Sequence, residues 1–269
     1  MTKRMNSKHM DMNSKHMDIV APSLTPDLGR TAFLLDIDGT IVDIALTPRD
    51  VRVPDSLRHV LARLIARTNG AVALVSGRSL EDIDRLFAPM RLTAVGGHGA
   101  EFRLIDGSTL EGRDAPPLDP ELRRRLVAIA DGEMLLAEDK GYAVALHYRL
   151  ALDKENFVRQ EVAKVCAEPW PVPLEILPGK AVIEIKHAEF TKATGVRELM
   201  DHSPFAGRQP IFIGDDTTDE SVFAIMPELQ GVAISVGRMV AGVPHHFETP
   251  QSVRGWLERI VPAVENVSP

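Results

Sequence analysis

The chain reads as an α/β protein, a Rossmann-like parallel-sheet core carrying an inserted α+β unit. Three observations predict this. Short apolar runs alternate with amphipathic helical patterns near both ends of the chain, as in a parallel sheet covered by helices. Between those stretches the pattern switches to strand pairs joined by short turns, with two helices. The apolar runs of the first kind end at Asp36, Ser76, Gly96 and Gly214, and in an open parallel sheet such strand exits converge on one crevice.

The elements follow in order. The run "AFLL" closes a strand at Asp36. From Asp55, "DSLRHVLARLIART" repeats Leu57, Val60, Leu61, Leu64 and Ile65 at helical spacing. "AVALV" (Ala71–Val75) is a second buried strand, Ser79 caps the helix "LEDIDRLF", and "LTAV" is a third strand. "FRLIDGSTL" reads as a hairpin turning at Asp106-Gly107. Asp119 and Pro120 open the helix "DPELRRRLVAIAD". "MLLAE" and "YAVALHYR" are strands about a Gly141 turn, "DKENFVRQEVAKVCAE" is a helix, and "LEIL" and "AVIEIK" are strands around Pro178-Gly179. The first pattern then returns. "TKATGVRELM" is helical and "PIFIG" is a strand. "TTDESVFAIM" is a helix with Thr217 as cap and Glu220 completing a capping box. "GVAISVG" is a strand, and a last helix starts near Ser252. The expected division is a core from 28–105 and 187–269, an inserted cap domain at 106–186, and a disordered tail at 1–27. That tail duplicates "MNSKHMD" at Met5–Asp11 and Met12–Asp18, a unit too short and polar to be a folding repeat. Its His9 and His16 belong to a disordered or appended segment.

Composition narrows the function. The 269 residues are 44% hydrophobic with a formal charge of -7, and no basic stripe suggests a nucleic-acid partner. No apolar run approaches the roughly 20 residues that span a membrane. The single cysteine, Cys166, rules out an intrachain disulfide framework and fits a reducing, cytoplasmic setting. A small-molecule substrate is the expected partner, and a monomer is compatible with the sequence.

The chemistry is concentrated at the strand exits. Asp36 and Asp38 stand two residues apart, and at about 6 Å with an effective dielectric of about 20 they repel by roughly 3 kcal/mol. Asp215 and Asp216, with Asp219 a turn later, arrive at the same crevice. A hard divalent cation such as Mg²⁺, which takes oxygen ligands, offsets that charge, and a carboxylate beside it is a usable nucleophile. Ser76, Gly77 and Arg78 lead into a helix and offer a hydroxyl and backbone N–H groups to a phosphate. Lys192 can bring a positive charge to the nucleophile or the phosphate. The constellation reads as metal-assisted phosphoryl transfer. Alternation places Lys180, Val182 and Glu184 on one strand face, so Lys180 and Glu184 can reach one ligand. Glu138 and Lys140 sit at the "AEDKG" turn.

"DIDGT" (Asp36–Thr40), "SGR" (Ser76–Arg78), Lys192 and "GDD" (Gly214–Asp216) resemble the four motifs of the haloacid dehalogenase-like phosphatases, and the insertion resembles their C2-type cap. More narrowly, "GGHGAE", "HYR", "PGK", "IEIK" and "GDDTTDE" resemble the trehalose-6-phosphate phosphatase family, over about Phe33 to Val236. The resemblance implies that Asp36 attacks phosphorus to form an aspartyl-phosphate, and that Asp38 protonates the leaving sugar oxygen and then activates water. It implies Mg²⁺ held by Asp36, the Asp38 carbonyl and Asp215, with Asp216 or Asp219 helping, and phosphate held by Ser76 and Lys192. Thr40 is expected to steer Asp38. Glu138, Lys140, Lys180 and Glu184 are expected to touch the sugar of a phosphorylated disaccharide, and His98 and Glu101 to shape the core–cap junction. Phosphatases for sucrose 6-phosphate or mannosyl phosphoglycerate, a phosphomutase and a non-catalytic binder stay open as alternatives.

Overall fold

The computed structural model describes residues 24–45, 50–106, 109–179 and 181–263. Five of its strands and the helices between them build the first layer system. β1 (Thr31–Leu35), β2 (Val72–Val75), β3 (Thr93–Gly96), β10 (Gln209–Gly214) and β11 (Val232–Val236) run parallel, joined by α1 (Asp55–Arg67), α2 (Leu80–Phe87), α5 (Lys192–Met200) and α6 (Glu220–Ile225). The sheet continues through β12 (His245–Phe247), parallel to β11, and closes on α7 (Pro250–Ile260). Its other edge is an antiparallel hairpin, β4 (Glu101–Asp106) and β5 (Thr109–Asp114), giving the order β12-β11-β10-β1-β2-β3-β4-β5.

The near-continuous apolar strands follow from burial on both faces. Phe33, Leu35, Leu74, Ile211 and Ile213 pack with Leu57, Leu61 and Leu64 of α1, Ile83 of α2 and Val253, Trp256 and Leu257 of α7. Their neighbours Ala32, Leu34, Ala73 and Phe212 point the opposite way, against Val196 and Leu199 of α5 and Val222 and Phe223 of α6. The period of two along each strand thus divides one apolar run between two cores.

A second sheet is inserted between β5 and α5. β6 (Leu136–Asp139), β7 (Ala143–His147), β9 (Val182–His187) and β8 (Leu174–Gly179) are antiparallel in the order β6-β7-β9-β8. α3 (Pro120–Ala128) and α4 (Glu155–Cys166) cover one face, where Leu122, Leu126, Val158 and Val162 meet Val144, Leu146, Ile183 and Ile185. The other face carries Glu138, Ala145 and Glu184 in one cross-strand row and Ala143 and Lys186 in the next. That face is polar because helices cover only the other.

Several expectations are corrected. The boundary at Asp106 splits a hairpin that the sheet keeps whole: Asp106 pairs with Thr109, and β5 belongs to the large sheet. The inserted unit therefore begins after Asp114. The hairpin turn at 107–108 lies outside the described residues. The expected tail ends earlier than residue 27: Leu24 packs on the core, and Trp256 Nε1 donates to its carbonyl at 3.2 Å. The "MNSKHMD" duplication lies outside the described residues. α7 starts at Pro250, not Ser252, because the Thr249 side chain accepts from Ser252 N–H and Pro250 takes the first turn. The three-residue β12 was too short to announce itself.

Candidate active site

The parallel strands deliver the expected residues to one rim. Asp36 N–H donates to the Ile213 carbonyl at 3.0 Å, and Ser76 N–H to the Val95 carbonyl at 2.8 Å. Each residue thus sits on the last hydrogen bond of its strand, where the backbone is fixed by the sheet. After Asp36 the chain turns at once: Gly39 N–H bonds the Val42 carbonyl at 2.8 Å. Gly39 has φ +83°, and a Cβ there would overlap the Asp215 carboxylate. A side chain at 39 is excluded by both conformation and space.

At the centre is a buried ion cluster. Lys192 Nζ lies 2.7 Å from Asp36 Oδ1 and 2.7 Å from Asp219 Oδ1. Lys192 opens α5, where the helix dipole opposes a cation, but the Thr191–Thr194 capping box fixes the turn and the two carboxylates compensate. Burial works to lower the lysine, yet Asp36 and Asp219 overcome it and hold the ammonium above its ordinary value. The other oxygen of Asp219 accepts from the N–H groups of Asp215 and Asp216, both at 3.0 Å. Asp219 thus ties the lysine to the turn that presents Asp215.

Asp36, Asp215 and Asp219 offer oxygens within 4.8 Å of one another. Thr40 Oγ1 donates to Asp215 Oδ1 at 3.0 Å. Burial pushes Asp36 well above the usual carboxylate range, with Asp219 and Asp215 adding to the rise and Lys192 opposing it. Burial and Asp219 push Asp215 up to about 6, against the Thr40 hydrogen bond. Three acids, two of them buried and Asp215 half-buried, against one ammonium leave an excess of negative charge, carried only on hard oxygen donors. This donor set fits a divalent cation.

The expected metal residue Asp216 is corrected. It is exposed and caps the 3₁₀ turn Thr217–Asp219, with Asp219 returning the capping bond. The cap is therefore Asp216 rather than Thr217, and the inward carboxylate is Asp219. The role expected for Thr40 is also corrected, since its hydroxyl serves Asp215. Asp38 is instead gripped by Arg78, Nε to Oδ2 at 2.5 Å and a terminal nitrogen to Oδ1 at 2.6 Å. Arg78, expected at the phosphate, thus faces the second aspartate. Ser76 is buried with its hydroxyl accepting from Arg78 N–H at 3.2 Å, and Gly77 lies beneath the His98 ring.

On the inserted sheet, Lys140 Nζ contacts Glu184 Oε1 at 3.3 Å. Burial works to lower Lys140, but Glu184 and Glu138 raise it on balance. Glu138 is exposed at the rim, and its bond to His147 Nε2 at 3.1 Å holds it below the ordinary glutamate range. Lys180 lies outside the described residues. Sequence reasoning missed Tyr142, whose hydroxyl donates to Glu101 Oε1 across the junction; the other Glu101 oxygen accepts from Leu80 N–H at the start of α2. It also missed Arg238, which donates from Nε to the Asp215 carbonyl at 2.8 Å and pairs with Glu220. No periodicity marks either residue. Burial pushes the Cys166 thiol up to about 11, the opposite of a nucleophile's adjustment.

A parallel sheet with acids and a lysine at its carboxyl rim, facing a capping sheet, defines a phosphatase fold of the haloacid dehalogenase type. Solved structures share it. The trehalose-6-phosphate phosphatase C-terminal domain of C. albicans superposes with a TM-score of 0.73 at 22% identity, covering 88% of this chain and 93% of that one. A Bacteroides thetaiotaomicron protein described among phosphatases of the haloalkanoate (HAD) enzyme superfamily gives 0.59 at 14% identity, covering 87% and 96%. The trehalose-phosphatase family profile matches residues 34–250. A probable trehalose-phosphate phosphatase of Sinorhizobium fredii is 41% identical over 80% of this chain and 81% of its own length. The trehalose-6-phosphate phosphatase of Escherichia coli is 35% identical over 90% and 91%. The chain belongs to the trehalose-phosphatase family, whose members are phosphoric monoester hydrolases.

Proposed function

We propose that the protein hydrolyses trehalose 6-phosphate to trehalose and phosphate, with Mg²⁺ as its cation. The observation that carries this reading is the buried contact of Lys192 with Asp36 at the exit of β1, opposite the polar face of the inserted sheet. The core supplies phosphoryl chemistry, and the sheet supplies groups for a polyhydroxylated leaving group.

Asp36 attacks phosphorus, and the bond to the sugar oxygen breaks as Asp38 gives that oxygen a proton. Water then attacks the aspartyl-phosphate, Asp38 takes its proton, and phosphate leaves Asp36 free. Lys192 orients the Asp36 carboxylate and, with Ser76 and the turn at Gly77, binds phosphoryl oxygens. Asp36 and Asp215 would hold the cation, with Asp219 at the same cluster and Thr40 and Arg238 fixing Asp215. When bound, the cation neutralises phosphoryl charge. Arg78 holds Asp38 in place until an incoming phosphate competes for the guanidinium. Lys140 and Glu184 bind sugar hydroxyls, with Glu138 at the rim and Lys180 on the same strand face by sequence alternation. The lone cysteine supports a reducing, cytoplasmic setting; among the described residues no helix is long and apolar enough to cross a membrane.

The test is phosphate release from trehalose 6-phosphate, sucrose 6-phosphate and glucose 6-phosphate, with Mg²⁺ and with a chelator. Mg²⁺-dependent preference for trehalose 6-phosphate is expected. Preference for another sugar phosphate would overturn the substrate, and undiminished turnover in chelator would overturn the cation.

A further inference from the structure

We propose that His98 is a specificity-determining residue, its imidazole Nε2–H hydrogen-bonding the sugar next to the phosphoester. This deepens the proposed function and rests on it. Three independent observations meet at this side chain.

The first is conformational. His98 has φ +54°, between Gly97 and Gly99, which also have positive φ. A non-glycine residue in the left-handed region is uncommon, and glycine would sit there without strain. A backbone outlier beside a reaction centre is the kind of feature that side-chain function explains.

The second is placement. His98 N–H donates to the Ser76 carbonyl at 3.1 Å, and its Nε2 edge lies over Gly77 so closely that a Cβ there would overlap it. The ring is therefore locked to the turn expected to hold phosphate. Lys192 of the core and Lys140 and Lys186 of the inserted sheet all act on it. A Cβ on its neighbour Gly97 would overlap Tyr142 of the inserted unit, so the His98 turn stands where the core meets the inserted sheet, on the side the leaving alcohol would take.

The third is the state of its nitrogens. Nδ1 is enclosed and has no hydrogen-bond partner among the described residues, while the residue as a whole is only part-buried. Burial and the three ammonium groups hold the ring neutral, with its pKa lowered to about 3. Nε2 is not enclosed in this way, so it is the ring nitrogen that can meet a ligand, and a neutral ring offers it as the donor when Nδ1 keeps its lone pair. Lys186 is itself occupied by Glu175 at 2.6 Å and by the Phe190 carbonyl, and Lys140 by Glu184, so neither quenches the donor.

The test compares His98→Asn with the unmodified protein on its preferred sugar phosphate and on p-nitrophenyl phosphate. Asparagine accepts the left-handed backbone, and His98→Gly serves if the first variant melts early. Loss of one neutral hydrogen bond predicts a drop of about five- to tenfold in the selectivity ratio for sugar over aryl phosphate, carried by KM. Free trehalose should weaken as an inhibitor by a similar factor. Equal losses on both substrates would show that the ring only props the Gly77 turn, and an unchanged ratio would likewise overturn the proposal. If the unmodified protein prefers another sugar phosphate, the trehalose reading fails, while the His98 comparison runs unchanged on that substrate.

Discussion

Asp36 is expected to be indispensable for turnover and costly for stability. Its carboxyl is pushed up by burial and by Asp219 and Asp215, so Asp36→Asn should abolish phosphate release yet raise the melting temperature of metal-free protein. Measured turnover in that variant, or a lowered melt, would contradict this. Asp215 gives a pH signature. A folded pKa raised to about 6 means the folded state holds its proton more tightly than the unfolded chain. Its contribution is fully present below the ordinary carboxylate pKa and is lost as pH rises through 6. In chelator, the melting temperature of the unmodified protein should therefore fall more between pH 4 and 7 than that of Asp215→Asn, and Mg²⁺ should remove the difference. Equal slopes would contradict the buried-charge account. At this scale the sequence was legible where a charged residue follows an apolar run: Asp36, Ser76 and Asp215 stand at the rim as expected. It was not legible which acid of "GDDTTDE" turns inward. That depends on the 3₁₀ turn bringing Asp219 back beneath the Asp215 and Asp216 N–H groups, a geometry that spacing alone leaves open. Nor could it show Arg78 reaching back 40 positions to Asp38.

At the scale of elements, one turn and one strand carry the proposed function. The turn after β1 works only with glycine at 39, so Gly39→Ala should displace Asp215 and weaken Mg²⁺ binding by at least about tenfold in a calorimetric titration; unchanged metal affinity would show that the turn yields. β9 carries Glu184 on the face of Lys140, away from the helices, and Ile183 and Ile185 into the apolar layer. Glu184→Ala should therefore raise KM for the sugar phosphate more than for an aryl phosphate, and a parallel change in both would make Glu184 structural. The helices and central strands were readable because hydrophobic period and length agree. The hairpin was divided at Asp106, with β5 given to the insertion, because a strand that extends a core and one that begins an insertion look alike. The pairing of Ala94 with Arg103 and of Arg103 in turn with Gly112 decides it, and pairing is not written in the local pattern.

For the whole molecule, the two sheets are joined by a small apolar cluster of Ala100, Ala115, Tyr142 and Ala143 with Phe190 and by a few polar contacts. Tyr142 and Glu101 bridge the inserted unit to α2 and the core, and Lys186 fastens the return segment through Glu175 and Phe190. Tyr142→Phe should loosen the first of these. Faster proteolysis between Ala115 and Leu118 is expected, and an unchanged rate would show that the bridge does not restrain the unit. Insertion between the second and third motifs was visible in the change of pattern, whereas the bonds that seat it were not, because they join residues dozens of positions apart. In the proposed reaction Asp36 forms a covalent bond to the phosphoryl group. The most direct measurement is a rapid-quench experiment with substrate labelled in its phosphate, followed by peptide mapping. Acid-stable, hydroxylamine-labile label on the peptide containing Asp36, formed within one turnover and absent in Asp36→Asn, is the predicted result. Full single-turnover phosphate release with no label on that peptide at any quench time would contradict the account.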